Sequence, residues 1–385
     1  MSEADAPSPA DFSMSEARHL IGDLLRPKPW IYWTDLVLSL GCGTACWMMV
    51  REFAATYGVL SWQVILTFLV NCLLYYRVAT FTHELTHLPK DGFQGFRLAW
   101  NLFCGIPFLM PSFTYHTHAD HHRRKHYGTK LDGEYLPLGN RHPICIVGYV
   151  AECLILGPAG VVRWLILTPL TWLHPWLRDR IHERFSSLVI NPLYVRPLPS
   201  NRQRWIIRIQ ELGCFLWCLN FVLIALFFGP ALKERGLAQS YDAWWLAPPM
   251  PFVLQAYATS VVVLLLNSLR TVASHRWYNE WNKANPEMTF TEQLLDSVNF
   301  PYRPWFTGLW GPIGMRYHAL HHLFPSLPYH SMGAAHRRLM EGLPADSPYR
   351  RTNEVSMFAA LRDLWKRASA SARATPADQA QALAR

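Results

Sequence analysis

The run His116-Thr-His118-Ala-Asp-His121-His122-Arg-Arg-Lys-His126 decides the reading of this chain. Histidines at i, i+3 and i+4 fall on one face of a helix, where each neutral imidazole offers a lone pair to a common point. The spacing returns as His318-Ala-Leu-His321-His322, and an i, i+4 pair, His83-Glu-Leu-Thr-His87, precedes both. Eight histidines in three segments predict one metal site assembled from distant parts of the chain. Imidazole ligation suits zinc, copper, iron or nickel, and so many ligands exceed what one ion takes. Two ions, with positions left open for oxygen or water, match the count.

Outside these clusters the composition is apolar: 51% hydrophobic and 16% charged in 385 residues, with the apolar residues in long uncharged runs. Such runs predict about four membrane crossings, at 36–50, 60–78, 212–228 and 251–269. The second continues as helix into His83 and His87, and the fourth delivers His275 just past its end, which makes His275 a ninth candidate ligand. The segment 96–113 is broken by Gly105, Pro107 and Pro111, so it is expected to lie along the interface rather than cross. The segment 144–173, interrupted by Gly157, Pro158, Gly160, Arg163 and Pro169, leaves its topology open. Ser13 and Glu16 make a capping box, and Leu20, Ile21, Leu24 and Leu25 then give a short interfacial helix ending before Pro27. Trp30, Tyr32 and Trp33 form an aromatic belt.

The expected fold is therefore all-α: a multi-pass membrane protein with interfacial helices and a cytosolic helical cap that carries a di-metal site. Residues 1–30 form an amphipathic arm, 31–340 the membrane domain, and 341–385 a C-terminal helix, over 354–366, and a disordered Ala-rich tail over 368–385. The acidic, Pro-containing start is no signal peptide, so insertion rests on internal spans. The eight cysteines, at 42, 46, 72, 104, 145, 153, 214 and 218, lie in apolar stretches and read as packing residues, not disulfides.

A net charge of +9 could suggest nucleic acid, but no basic motif interleaved with aromatics occurs. Lys and Arg concentrate in 77–141, in 178–208 and after 270, whereas the two opposite loops, including 233–242, are near neutral. By the positive-inside rule the histidine face and both termini are cytosolic. One site on one face also demands that 144–173 not cross singly.

Glu84, Asp120, Asp132, Glu134 and Asp296 are candidates for orienting the rings through their second N–H. His116, His126 and His330 are weaker ligand candidates, and His19, His142, His174, His182 and His336 read as ordinary side chains. His83-Glu84-x-x-His87 is also the HExxH pattern of zinc membrane proteases, with Glu84 as general base. That reading leaves both HxxHH clusters unexplained.

The three boxes, His83 to His87, His118 to His122 and His318 to His322, spaced around two membrane hairpins, resemble the membrane fatty acid desaturase and hydroxylase family over residues 36–340. The resemblance implies that the eight box histidines bind two irons, with His275 matching a further histidine after the fourth span. It also implies that O2 is activated to oxidise a long-chain acyl lipid, with electrons from a separate ferredoxin or cytochrome b5. Desaturation is the first expectation and hydroxylation on the same site its alternative, since the boxes do not separate them. The HxxxH first box is closer to bacterial acyl-lipid and sphingolipid desaturases than to the HxxxxH of animal acyl-CoA enzymes, and Thr271 stands where those place an Asn. No HPGG haem segment occurs. Arg123, Arg124, Lys125, Arg337 and Arg338 are expected to steer an acidic carrier to the cytosolic face.

Overall fold

Ser13 Oγ accepts the Glu16 N–H at 3.2 Å and starts the helix Met14–Ile21, which is the Ser13 half of the predicted capping box; the Glu16 side chain does not reach back to it. The computed structural model describes residues 12–89, 91–228, 249–281 and 287–373, and among these the regular elements are all helices. The apolar stripe of the first helix turns inward rather than toward a membrane surface. Ala17 and Ile21 are fully buried against Ala335, Leu339 and Leu343, with Leu20, Leu24 and Leu25 around them. The amphipathic pattern was legible, but its partner is the helix Met332–Gly342, and an Arg338–Asp23 ion pair closes the contact.

Among the described residues, five helices are long and apolar enough to cross a membrane: Pro29–Tyr57, Trp62–His87, Leu156–Leu173, Asn201–Phe227 and Met250–Ser274. Four of them cover the predicted spans. The first two pack along their length; Gly43 allows it, because a Cβ there would lie 2.8 Å from the Tyr75 ring, and Asn71 Nδ2 donates to the Gly43 carbonyl at 2.8 Å. The second helix runs unbroken from Trp62 to His87, so a membrane span sets the position of the first histidine pair. The last span ends at Ser274 because His275 takes an extended conformation, with φ −127° and ψ 153°.

The fifth apolar helix lies in the segment whose topology the sequence leaves open. Residues 144–154 start beside the histidine end of the last span, with Ile146 and Tyr149 packed near Val272 and Trp277. They run down it until the Leu154 carbonyl accepts from Tyr257 at 3.1 Å and Gly157 sits where a Cβ would meet Ser260 at 2.9 Å. The chain then returns: Arg163 bonds the Phe185 carbonyl and Ser186, each at 2.8 Å, and Leu188 N–H reaches the Thr114 carbonyl at 2.9 Å, beside the second box. The segment enters and comes back, so it does not reverse the side on which the following chain lies. Arg163 is neutralised by Glu211 at 2.5 Å, which makes this buried charge tolerable.

The segment 94–113 is a helix, Gln94–Trp100, passing into one π-helical turn, Asn101–Gly105. Asn101 clamps the return by accepting from Ser112 N–H at 2.8 Å and donating to Ser112 Oγ at 2.9 Å. The C-terminal helix covers Met357–Arg373, longer than predicted. The predicted loop 233–242 and the tail beyond 373 lie outside the described residues. All eight cysteines are free.

Candidate metal centre

His83 and His87 end the long helix Trp62–His87 and His275 follows Met250–Ser274, whereas the second and third boxes lie on short helices anchored elsewhere. The second box, His118–His121, is a single turn held by Asp132, which accepts from Gly128 N–H at 2.9 Å and from Glu134 N–H at 2.9 Å. The third, His118's distant counterpart His318–Leu323, is pinned by Asn299, whose Oδ1 accepts the Leu320 N–H at 3.1 Å.

The three boxes and His275 meet in two groups. His83, His87, His118, His122 and His321 form one; His121, His275, His318 and His322 form the other; within each, the candidate ligand atoms lie within 4.8 Å of one another. The Nε2 atoms of His122 lie 2.9 Å from those of both His118 and His321. In the second group His318 Nε2 is 2.8 Å from His275 Nε2 and 3.1 Å from His322 Nε2. His122 and His322, one from each group, have ring centroids 4.5 Å apart, so the groups adjoin. All nine predicted candidates are thus brought together. His116, His126 and His330 belong to neither group, and His330 Nε2 instead accepts the Lys28 N–H at 3.1 Å.

The donor set fits a pair of metal ions. Both nitrogens of His83 and Nε2 of His87 are buried without a hydrogen-bond partner, an arrangement that costs desolvation unless a cation accepts the lone pairs. Burial first, then the charge of neighbouring rings and of Arg270, holds His118 and His318 far below the ordinary imidazole range. Burial and adjacent rings do the same to His122, His321 and His322. Neutral imidazole is the form that ligates. His121 differs: burial pulls it down, but the Asp132 carboxylate 2.8 Å from its Nδ1 outweighs burial and raises it.

Three of the five candidate carboxylates orient rings. Asp132 holds His121, Glu134 holds His118 at 2.8 Å, and Asp296 stands 3.5 Å from His275 Nδ1. The other two do not. Asp120 accepts from Tyr194 at 2.8 Å and pairs with Arg123. Glu84 accepts from Tyr32 at 2.7 Å and is in neither histidine group, which does not suit the general base of an HExxH protease. Tyr127 is the residue that counting ligands misses: its buried hydroxyl lies 2.9 Å from His275 Nδ1, 2.8 Å from Asp296 and 3.2 Å from Ser297. A tyrosine next to a glycine carries no sequence signal of such a role.

A family model described as fatty acid desaturase matches residues 60–353. The chain belongs to the fatty acid desaturase family. Its three histidine boxes and His275 fall inside that match, whereas the helix Met357–Arg373 lies beyond it. The chain is also 39% identical over 379 residues to a ceramide hydroxylase of Caulobacter vibrioides (strain NA1000 / CB15N), covering 97% of this chain and 99% of the relative. No solved structure matches it. Membership and this relative make the chain a lipid-modifying oxidoreductase of the membrane.

Proposed function

We propose that this protein hydroxylates the hydrocarbon part of a ceramide-type membrane lipid, using O2 and two irons held by His83, His87, His118, His121, His122, His275, His318, His321 and His322. The observation that carries the reading is the meeting of nine histidines in two adjoining groups, in a chain similar over nearly its whole length to a ceramide hydroxylase. When bound, the irons supply O2 activation and cleavage of an unactivated C–H bond.

The chain's own residues prepare that chemistry. Asp132, Glu134 and Asp296 fix ring tautomers so that each Nε2 keeps its lone pair for the ion. His87 ends the second span and His275 follows the helix Met250–Ser274, which supports a site that a lipid chain reaches without leaving the bilayer. Hydroxylation consumes O2, two electrons and two protons and yields the alcohol and water. No haem-binding or dinucleotide motif is present in the sequence, so a separate ferredoxin or cytochrome b5 supplies the electrons on the cytosolic face.

The family description supports a second reading, desaturation, which would begin with the same hydrogen abstraction and end with loss of a second hydrogen. Lipid extracts of cells with and without the gene, compared by mass spectrometry, test both. A ceramide that gains one oxygen supports hydroxylation; one that loses two hydrogens supports the second reading; unchanged lipids would overturn both.

A further inference from the structure

The hydroxyl of Tyr127 stands between a candidate ligand and a carboxylate. It lies 2.9 Å from His275 Nδ1 and 2.8 Å from Asp296 Oδ2, whereas Asp296 itself is 3.5 Å from that nitrogen, beyond a good hydrogen bond. Its third neighbour, Ser297 Oγ, is farther away at 3.2 Å. His118 and His121 are held differently, each with a carboxylate oxygen 2.8 Å from its Nδ1. The group that meets the His275 ring is therefore a phenol.

The far end of this chain of contacts sets the direction of its protons. Asp296 Oδ1 accepts from the Tyr278 N–H at 2.8 Å and from the Tyr135 hydroxyl at 3.2 Å. A backbone N–H only donates and an ionised carboxylate only accepts, so Oδ2 accepts from Tyr127. The Tyr127 proton being given to Asp296, its oxygen is left to accept the His275 Nδ1–H. A neutral imidazole carries one proton, so His275 Nε2 keeps its lone pair where it faces His318 Nε2, 2.8 Å away.

The placement of Tyr127 does not depend on its hydroxyl. Gly128 follows with φ +72°, where a Cβ would lie 3.0 Å from Met288 Sδ, and its carbonyl accepts from Asn279 Nδ2 at 3.0 Å and from Trp281 Nε1 at 3.1 Å. The Tyr127 ring lies against His121, His275 and His322, with centroids 5.1, 5.9 and 5.3 Å away. These are three of the four rings of one group, so a change at Tyr127 bears on one ion of the two.

Resting on the two-ion reading above, we infer that Tyr127 is a positioning residue for the ion of the second group: backed by Asp296, its hydroxyl fixes the tautomer and orientation of the His275 ring and so presents Nε2 to the metal. Asp296 acts on His275 through Tyr127. Tyr127→Phe keeps the ring but removes the oxygen that accepts from His275, and Asp296 is tied through Oδ1 to Tyr135 and Tyr278. Asp296→Asn is isosteric and reverses the relay. The Tyr278 N–H holds the amide oxygen on its side, the amide NH2 then donates to Tyr127, and Tyr127 donates to His275 Nδ1. That drives the ring proton to Nε2, the nitrogen the ion needs.

The test is cobalt(II) titration of the full-length, metal-free protein in competition with a chelator, read by the visible absorption of the bound ion. The natural protein is expected to bind two ions. Tyr127→Phe and Asp296→Asn are each expected to weaken one of them about 10- to 100-fold and to leave the other within about threefold. The double variant should bind no more weakly than the weaker single one, because both changes break one relay. Unchanged affinity in either single variant, equal weakening of both ions, or additive losses in the double variant would each overturn the inference. Should Tyr127→Phe fail to fold, Asp296→Asn decides alone on the same readout. Failure of the natural protein to bind two ions would sink the metal centre and the relay with it, whereas two ions bound with affinities that the variants leave unchanged would sink only the role of Tyr127. Neither result depends on whether the lipid is hydroxylated or desaturated.

Discussion

His275 Nε2 lies 2.8 Å from His318 Nε2, although 43 residues separate them and both rings are buried. Two lone-pair nitrogens at that distance repel unless a proton or a cation stands between their lone pairs, and burial with neighbouring charge keeps both rings below the ordinary imidazole range. The contact is what shared ligation of one cation, as proposed above, would require.

His275→Ala is therefore expected to lower bound iron by about one ion per chain and to reduce lipid oxidation by about a hundredfold or more, with membrane insertion unchanged. His321→Ala, in the other group, is expected to do the same. Metal analysis of purified protein beside product formation checks it; full activity in either variant would refute the assignment of that ligand.

Asp132→Asn leaves the volume at His121 unchanged but replaces a carboxylate that accepts from the ring, from Gly128 N–H and from Glu134 N–H. Iron affinity is expected to drop about 10- to 100-fold, the usual cost of losing a partner behind a ligand. Chelator titration measures it. Asp120→Asn, which touches Tyr194 rather than a ring, is the control and should leave affinity within about threefold.

Glu84→Gln keeps an acceptor for the Tyr32 hydroxyl, so lipid oxidation is expected to stay within a few-fold of normal, whereas Glu84→Ala orphans that hydroxyl at a cost of about 1–3 kcal/mol. Thermal unfolding of the purified protein should separate the two. Loss of all activity in Glu84→Gln would restore a chemical role to this carboxylate.

The carrier is expected to dock by charge. Of the five basic residues near the boxes, Arg123 is paired with Asp120 and Arg338 with Asp23, which leaves Arg124, Lys125 and Arg337 at the surface. Arg124→Glu with Lys125→Glu should raise the KM for a ferredoxin or cytochrome b5 about tenfold and leave kcat unchanged, and the effect should shrink as the Debye length falls below about 8 Å. Turnover by purified protein with NADPH and O2 alone would exclude a separate carrier.

His336 gives the cap an acid limit. Burial first, then Arg316 and Arg337, push its imidazole down to about 4, while Nδ1 stays bonded to Tyr349 at 2.8 Å. A folded value below the unfolded one means that the unfolded chain binds the proton more readily. The neutral ring's contribution is complete above the unfolded value near 6.5 and is lost as pH falls toward about 4, a drop of about 3 kcal/mol. Hydrogen exchange in the helix Met332–Gly342 should accelerate over that window, and His336→Gln should flatten the dependence.

The sequence by itself determined the ligand candidates and the membrane frame. Histidine spacing and uncharged run length are local properties, and they picked out the nine candidate rings and four of the helices long enough to cross, although the last of these runs on to Ser274 rather than ending at 269. Local pattern also gave the Ser13 cap, and it assigned His142 and His174 correctly as ordinary side chains, which accept from Ile144 and Trp176 N–H. Tertiary structure alone decided how those histidines divide into groups of five and four, because the division mixes boxes: His121 leaves its neighbours His118 and His122 and joins His275. It alone turned the stripe of Met14–Ile21 onto Met332–Gly342 instead of a membrane, since an apolar face does not specify what will cover it. It also returned 144–173 to the side it came from, through contacts with Tyr257, Ser260 and Glu211 that no local pattern encodes.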